Sequence, residues 1–317
     1  MSSTYQPDLS IVVPTYRGAT AIPELRDELS AALDDRGITF ELIFVNDASP
    51  DETWSVVERL ARDDSRVHGI DLLHNHGQPL ATMCGLAASV GNLVATMDDD
   101  FEHRPDQLLA LIGELEARPE LDAVVARWPI ERGVLRDLGS RIHGFADRLA
   151  WGTPQGFRHT AFRVLRRPVV DALLEHQTRL PVVGPMLHHV SSRVVNVEVE
   201  HGLRRHGISG FTFREGMRRV LLNFRSGSTA PLRMISWIGL LLATFSFALG
   251  GSFLARWAFG ADSPSGWLSV MFATSFLGGA NLLAVGIVGS YIDVIVHEVR
   301  RSPRWSVRQV VGRLDER

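Results

Sequence analysis

Over the first 126 residues, short and nearly unbroken apolar runs alternate with longer segments whose apolar positions recur every three or four residues. The runs at 9–13, 40–45, 67–73, 93–97 and 121–126 are rich in β-branched residues and bounded by polar or turn residues, which predicts strands buried on both faces. Between them, 22–33, 51–61, 79–90 and 105–117 predict helices, with Ser49 or Asp51 capping the second and Pro105 opening the fourth. The order βαβαβαβαβ predicts a mostly parallel α/β sheet covered by helices on both faces. Ligands of such sheets bind beyond the carboxyl ends of the strands, which singles out 14–18, 46–50 and 98–103. Residues 127–200 read as mixed, with helices expected at 134–150 and 168–176 and a strand at 193–199.

The pattern then changes. Residues 234–255 and 263–292 carry no charge, and each run reaches the roughly 20 apolar residues that cross a bilayer core. Two transmembrane helices are expected. Just before them, 211–225 places Phe213, Met217, Val220 and Phe224 on one helical face and Arg214, Arg218, Arg219 and Arg225 around the rest, the pattern of a helix lying in the membrane interface. The expected division is a catalytic domain at 1–205, an amphipathic interfacial region at 206–232, two transmembrane helices within 233–293 and a basic tail at 294–317. Arg225 and Arg233 precede the spans and Arg300, Arg301, Arg304 and Arg308 follow them, against only Arg256 between. By the positive-inside rule the catalytic domain and both termini are expected on the cytosolic side of the inner (plasma) membrane.

The net charge of -3 hides an uneven distribution, because acids concentrate before position 125 and arginines after it. This suits a second half that meets an anionic lipid surface, and no nucleic-acid partner is expected. A single cysteine, Cys84, excludes an internal disulfide, fits a reducing compartment and reads as a small buried side chain. The first residues lack a basic start and an apolar core, so no cleaved signal is expected.

The densest chemical signal is Asp98, Asp99, Asp100 and Glu102 after a strand. Alternate residues of an extended segment point the same way, so Asp98, Asp100 and Glu102 are the expected ligands of one Mg²⁺ or Mn²⁺, with Asp100 the firmest. Alone, an acidic turn capping the next helix accounts for them equally well. Asp47, in the turn after the second strand, is the candidate contact to a nucleotide base or ribose; a plain helix cap is the alternative. Pro14 and Tyr16 supply a candidate wall for the base, and 75–78, with Gly77 and Gln78, is expected to line the donor pocket, a helix-entry turn being the alternative. The 12 histidines show no zinc spacing and read mostly as surface or packing residues.

Together with their spacing, these segments resemble family 2 glycosyltransferases. The two uncharged runs narrow the likeness to the polyprenyl-phosphate glycosyltransferases, the group that includes dolichyl-phosphate mannose synthase and bacterial undecaprenyl-phosphate sugar transferases. The likeness covers nearly the whole chain and rests on VPTY at 13–16, VNDASPDET at 45–53, NHGQPLATMCGL at 75–86, TMDDDFEHRP at 96–105, FRVLRRPVVDAL at 162–173 and GSYIDVIVHEVRRSPRWSV at 289–307. It implies a GT-A (Rossmann-like) fold, a metal at Asp98, Asp100 and position 102, a nucleotide contact at Asp47, and Arg127 and Arg163 on the acceptor phosphate. Asp98, Asp99, Gln78, Pro14 and Tyr16 join Asp47 as expected donor-side residues, with Asp100, Arg127 and Arg163 as the catalytic set. The implied donor is a nucleotide-sugar, UDP-linked by resemblance only, and the acceptor is a polyprenyl phosphate such as undecaprenyl phosphate, loaded for later cell-envelope glycosylation. A homo-oligomer is expected.

The sequence departs from the family pattern at Asn46, where an acid is usual, at Asp99, where a small residue is usual, at Glu102, where glutamine is common, and at Gly210, where a lysine is usual. Arg204, Arg205 or Arg214 could replace that lysine's phosphate contact. The expected reaction is inverting. A lipid phosphate is already an anion and needs little or no general base, so the difficulty is bringing two polyanions together, which arginines and a metal address. A processive polysaccharide synthase would require more spans and a Gln-x-x-Arg-Trp segment, and neither is present. The remaining alternative is a membrane-anchored nucleotide-binding or scaffolding module without catalysis.

Overall fold

The computed structural model describes residues 6–128, 154, 156–176, 181–200, 241, 259, 266–299 and 304–313. The chain divides into two compact units, Met1–Val220 together with Arg301–Arg317, and Leu221–Arg300.

In the first unit the apolar runs form strands β1 (Leu9–Thr15), β2 (Phe40–Asn46), β3 (Val67–Leu72), β4 (Leu93–Thr96) and β5 (Ala123–Arg127). Helices α1 (Ala21–Asp35), α2 (Thr53–Asp63), α3 (Gln78–Ala88) and α4 (Pro105–Ala117) connect them. Then follow β6 (Arg163–Arg166), α5 (Arg167–Glu175), α6 (Val183–Val190), β7 (Val194–Glu198) and, after the second unit, β8 (Val307–Val311). The eight strands form one sheet in the order β7-β5-β6-β4-β1-β2-β3-β8. Strands β1, β2, β3 and β4 pair in parallel, β6 runs antiparallel between β4 and β5, and β8 runs antiparallel to β3.

Alternation along β1 shows why those runs read as continuously apolar. Leu9, Ile11 and Val13 enter one core with Leu25 and Leu29 of α1, Val57 of α2 and Leu111 of α4, while Val12 enters the opposite core with Ala81 and Leu86 of α3, Val170 of α5 and Leu187 of α6. A strand covered on both faces has no polar side to show. Cys84 lies in the second core, where burial pushes its thiol up to about 12, the state of an inert packing residue.

Three elements were not foreseen. β6 is four residues long and begins and ends with arginine, and α6 carries two histidines in its last turn, so neither gave a clear apolar period. The third lies in the basic segment expected at 294–317: β8 pairs antiparallel with β3 at one edge of the sheet. The expected cap at Ser49 also differs, since the Ser49 hydroxyl accepts the Arg17 N–H, and only Asp51 reaches the start of α2 through Thr53. The helix expected at 134–150, the interfacial helix at 211–225 and the run at 234–255 lie outside the described residues.

In the second unit, α7 (Trp267–Val299) is a 33-residue helix that takes in most of the second uncharged run. Val270, Leu277, Val285, Val288, Ile292 and Ile295 are exposed along it. Among the described residues, no helix is long and apolar enough to cross a membrane; many side chains of α7 fall outside that description.

Candidate active site

The strand order reverses between β1 and β4: β2 and β3 extend from one side of β1, while β4 lies on the other. Such a switch point opens a crevice at the carboxyl ends of the two strands. Here Thr15 and Thr96 end the strands, and with the segment after Asn46 at the end of the adjacent β2 the loops that follow are those singled out by the sequence. All three non-glycine residues with positive φ among the described residues lie in these loops: Arg17 at 60°, Ala48 at 53° and Phe101 at 64°. Backbone held in this sparsely populated region concentrates at functional sites because the surroundings must over-determine it.

The loops are tied to one another by short polar contacts. The Thr15 hydroxyl donates to Asp99 Oδ2 at 2.5 Å, and the Arg17 N–H donates to Ser49 Oγ at 3.0 Å. Gly18 leaves room at this junction, because a Cβ there would lie 2.3 Å from Thr15 Oγ1 and 2.4 Å from Asp99 Oδ2 and would make those side chains shift. Asp47 is buried, and its two carboxylate oxygens accept the His76 and Gly77 N–H groups, each at 2.7 Å. The expected nucleotide contact thus stands in the structure as the clamp of the 73–77 loop. Gly77, at φ 86°, makes the turn that brings its amide in. One residue on, Gln78 Nε2 donates to Asp98 Oδ1 at 2.5 Å, which joins the donor-side loop to the acidic segment.

In the acidic segment the expected alternation does not hold. Strand β4 stops at Thr96, the chain turns, the buried Phe101 takes its left-handed conformation, and Asp100 Oδ1 accepts the Glu102 N–H at 3.1 Å. Asp98, Asp100 and Glu102 therefore do not share one face of an extended strand, and no group of three His, Cys, Asp or Glu among the described residues could by itself hold a metal ion. Their charges are nevertheless close enough to act on one another. Burial first, then the charges of Asp100 and Asp99, push the Asp98 carboxyl up to about 7, with Arg163 pulling the other way. Burial also raises Asp99, to about 6, although the Thr15 hydrogen bond opposes it. Crowded carboxylates with hard oxygen donors form the chemical environment in which a divalent cation plus substrate phosphate oxygens completes the coordination.

The two arginines expected on the acceptor differ. Arg163 of β6 pairs in register with Thr96, is buried, and its Nη1 has no hydrogen-bond partner among the described residues. Burial lowers it to about 10, so it keeps its charge at neutral pH, and the neighbouring Asp98 supports that charge. Arg127, at the end of β5, is 42% exposed and lies 3.6 Å from Glu198 of β7. Tyr16 is 47% exposed beside the Arg17 guanidinium, while Pro14 is buried in β1 and forms no open wall.

Sequence reading missed the role of His103. It is buried, stacks on Phe162 and Trp128, and its Nδ1 accepts the Asp98 N–H at 3.1 Å, so it sets the path of the acidic turn. A histidine seven residues beyond the end of β4 gives no signal of this by spacing alone.

Among proteins of known name, an undecaprenyl-phosphate 4-deoxy-4-formamido-L-arabinose transferase of Pseudomonas aeruginosa (strain LESB58) is 31% identical over 323 residues, covering 96% of this chain and 90% of that protein. One of the same name from Shewanella sediminis (strain HAW-EB3) is 29% identical over 306 residues, covering 96% and 92%. Among solved structures, mannosyl-3-phosphoglycerate synthase from Rubrobacter xylanophilus shares the fold with a TM-score of 0.50 and 19% identity over 74% of this chain and 75% of that one. The family described as Glycosyl transferase family 2 matches residues 10–174, from β1 through α5 and including every loop of the crevice; the chain belongs to the family 2 glycosyltransferases.

Proposed function

We propose that this enzyme carries out inverting transfer of a sugar from a nucleotide-sugar to a polyprenyl phosphate such as undecaprenyl phosphate, using Mg²⁺ or Mn²⁺. The observation that carries the reading is the set of crowded carboxylates, Asp98, Asp99 and Asp100, at the switch point of the sheet. Two polyprenyl-phosphate relatives that match over nearly the whole chain support the acceptor class. Asp98, Asp100 and Glu102 would each contribute oxygens to the cation only together with the donor's phosphate oxygens, and the cation when bound neutralises charge on the departing nucleoside diphosphate. Thr15 and Gln78 orient Asp99 and Asp98 respectively. The Asp47 clamp shapes the 73–77 loop against which the nucleotide would lie, and Tyr16 offers an exposed ring for the base.

In this reading the charge of the buried Arg163 acts on Asp98 and moderates the repulsion among the carboxylates, and Arg127, whose side chain is 42% exposed, would meet the acceptor phosphate. The nucleophile is a phosphate oxygen that attacks the anomeric carbon opposite the diphosphate; as an anion it needs no proton removed. The membrane reading also belongs to the proposal. Two uncharged runs supply two spans, and α7, with its exposed apolar side chains, coincides with most of the second. The flanking arginines support a cytosolic catalytic unit and cytosolic termini.

The test incubates detergent-purified protein with undecaprenyl phosphate, Mn²⁺ or Mg²⁺ and a panel of radiolabelled nucleotide-sugars. Metal-dependent labelled lipid from at least one donor, lost in Asp100→Ala, is the expected result. Nucleotide binding without lipid labelling across a broad donor panel would contradict it.

A further inference from the structure

We propose that Arg308, on the strand that returns after the second unit, is a positioning residue for the donor side of the crevice, acting through the 73–77 loop. The inference rests on the reading of that crevice as a nucleotide-sugar site. Asp71, at the end of β3, has a side chain only 2% exposed. It is held from two sides: Asn46 Nδ2 donates to Oδ1 at 2.7 Å, and Arg308 Nη1 lies 3.2 Å from Oδ2. The same guanidinium donates through Nη2 to the Leu73 carbonyl at 3.2 Å. Beside it, the Leu73 N–H donates to the Ser306 carbonyl at 2.8 Å and the Ser306 N–H donates to His76 Nε2 at 3.2 Å.

These contacts staple one end of the loop to β8, and its other end is the Asp47 clamp and the Gln78 to Asp98 hydrogen bond. Leu73 is 50% exposed, so its side chain does not anchor the loop in the core, and the loop's path depends on polar ties. Arg308 joins one of them, at the Leu73 carbonyl, to the buried Asp71 of β3 with a single planar group, a geometry that lysine reproduces only in part. Without Arg308 the buried Asp71 keeps only Asn46 as a side-chain partner among the described residues, and a carboxylate short of partners moves toward water and takes the loop with it. The departure at Asn46 acquires a role in this arrangement: an amide can donate to Asp71, whereas a second carboxylate there would repel it.

The test uses the full chain in detergent. Titration with UDP or GDP in the presence of Mn²⁺ gives the nucleotide affinity, steady-state assays give the two KM values, and hydrogen exchange reports the His76 and Gly77 amides. Arg308→Gln is expected to weaken nucleotide binding and raise the donor KM by about tenfold, the order of loss for a small misplacement of a binding group, with kcat and the acceptor KM changed by less than about twofold. Its His76 and Gly77 amides should exchange faster while those of β1 and β2 stay protected. Arg308→Lys is expected to recover part of the affinity. Gln309→Ala, which removes only a contact from β8 to Glu58, serves as the control for general loosening of the strand. Unchanged nucleotide affinity and exchange in Arg308→Gln would overturn the inference. So would a loss that Gln309→Ala reproduces, with both KM values and the unfolding midpoint moving together. If the wild type binds neither nucleotide, the reading of the crevice fails instead, and the His76 and Gly77 exchange still decides whether Arg308 positions the loop.

Discussion

The two ends of the same sheet treat carboxylates held away from bulk water in opposite ways. At the amino ends of β1, β2 and β3, Glu41 accepts from the Ser10 hydroxyl at 2.5 Å and the Val90 N–H at 3.0 Å, and His68 Nε2 lies 3.5 Å from its other oxygen. The Arg313 N–H donates to His68 Nδ1, which places the ring proton on the nitrogen facing Glu41. Burial alone would raise Glu41, but the hydrogen bonds from His68, Ser10 and the Val90 N–H outweigh it and hold the carboxyl below its ordinary value. At the carboxyl ends of β1 and β4, Asp98 and Asp99 are pushed up to about 7 and about 6. The difference lies in partners: one Glu41 oxygen accepts two donors and the other lies near His68, whereas Asp98, Asp99 and Asp100 crowd one segment and raise one another by their charges. The first arrangement stabilises the fold, and the second reserves binding energy for a ligand.

The comparison breaks most severely at Asp100. Asp100→Ala is expected to lower lipid labelling by about a thousandfold, as loss of a group that acts on transition-state charge does. Its urea unfolding midpoint should stay close to that of the wild type. At the other end Glu41→Gln should do the reverse, costing about 2 kcal/mol of unfolding free energy while leaving kcat nearly intact, because His68 and two donors lose their anion. The sign of the pH effect follows from the lowered Glu41 value. Its contribution is fully present above the ordinary glutamate range and is lost as pH falls through the lower folded value, so Glu41→Gln should flatten the acid limb of a denaturation series below about pH 5.

The aspartates carry the opposite sign. With EDTA present, the folded state holds protons on Asp98 and Asp99 that the unfolded state releases. Stability from this source is therefore full below the ordinary aspartate value of 3.8 and falls as pH rises toward about 7. Mn²⁺ should remove that decline, and Asp98→Asn should reduce it in the metal-free protein; denaturation midpoints between pH 4 and 8 check both. The smallest stability effect is expected from Arg127→Ala, which breaks an exposed pair with Glu198 worth less than about 1 kcal/mol. The proposed acceptor role would appear as a raised KM for the lipid phosphate with the donor KM unchanged.

Much of this contrast was legible in the chain. Strands buried on both faces announce themselves as unbroken apolar runs, so β1 to β5 and the helices between them fall within a few residues of expectation, and the three loops at the strand ends follow from the order of elements. The parts that were not legible depend on contacts distant in sequence. Strand β8 is polar at Arg308 and Gln309 and gains its place from β3, more than 200 residues earlier, so no local period marks it. The carboxylate alternation was argued for an extended strand, but β4 ends early and the left-handed Phe101 redirects the segment. Asp47 was read for its acceptor chemistry; that its acceptors serve two amides of another loop is settled by folding. Arginines in a crowd could not be separated by sequence, whereas burial distinguishes Arg163 from Arg127 at once.

The most direct test of the central claim, that the crowded carboxylates form a cation site completed by nucleotide, is a Mn²⁺ titration followed by the electron paramagnetic resonance signal of the free ion. It is run with and without UDP at pH 6 and pH 8, on the wild type and on Asp100→Ala. The account expects Mn²⁺ uptake that UDP strengthens, that is tighter at pH 8 because protons no longer compete for Asp98 and Asp99, and that is lost in Asp100→Ala. Uptake that is the same in wild type and Asp100→Ala, or indifferent to UDP and to pH, would contradict it.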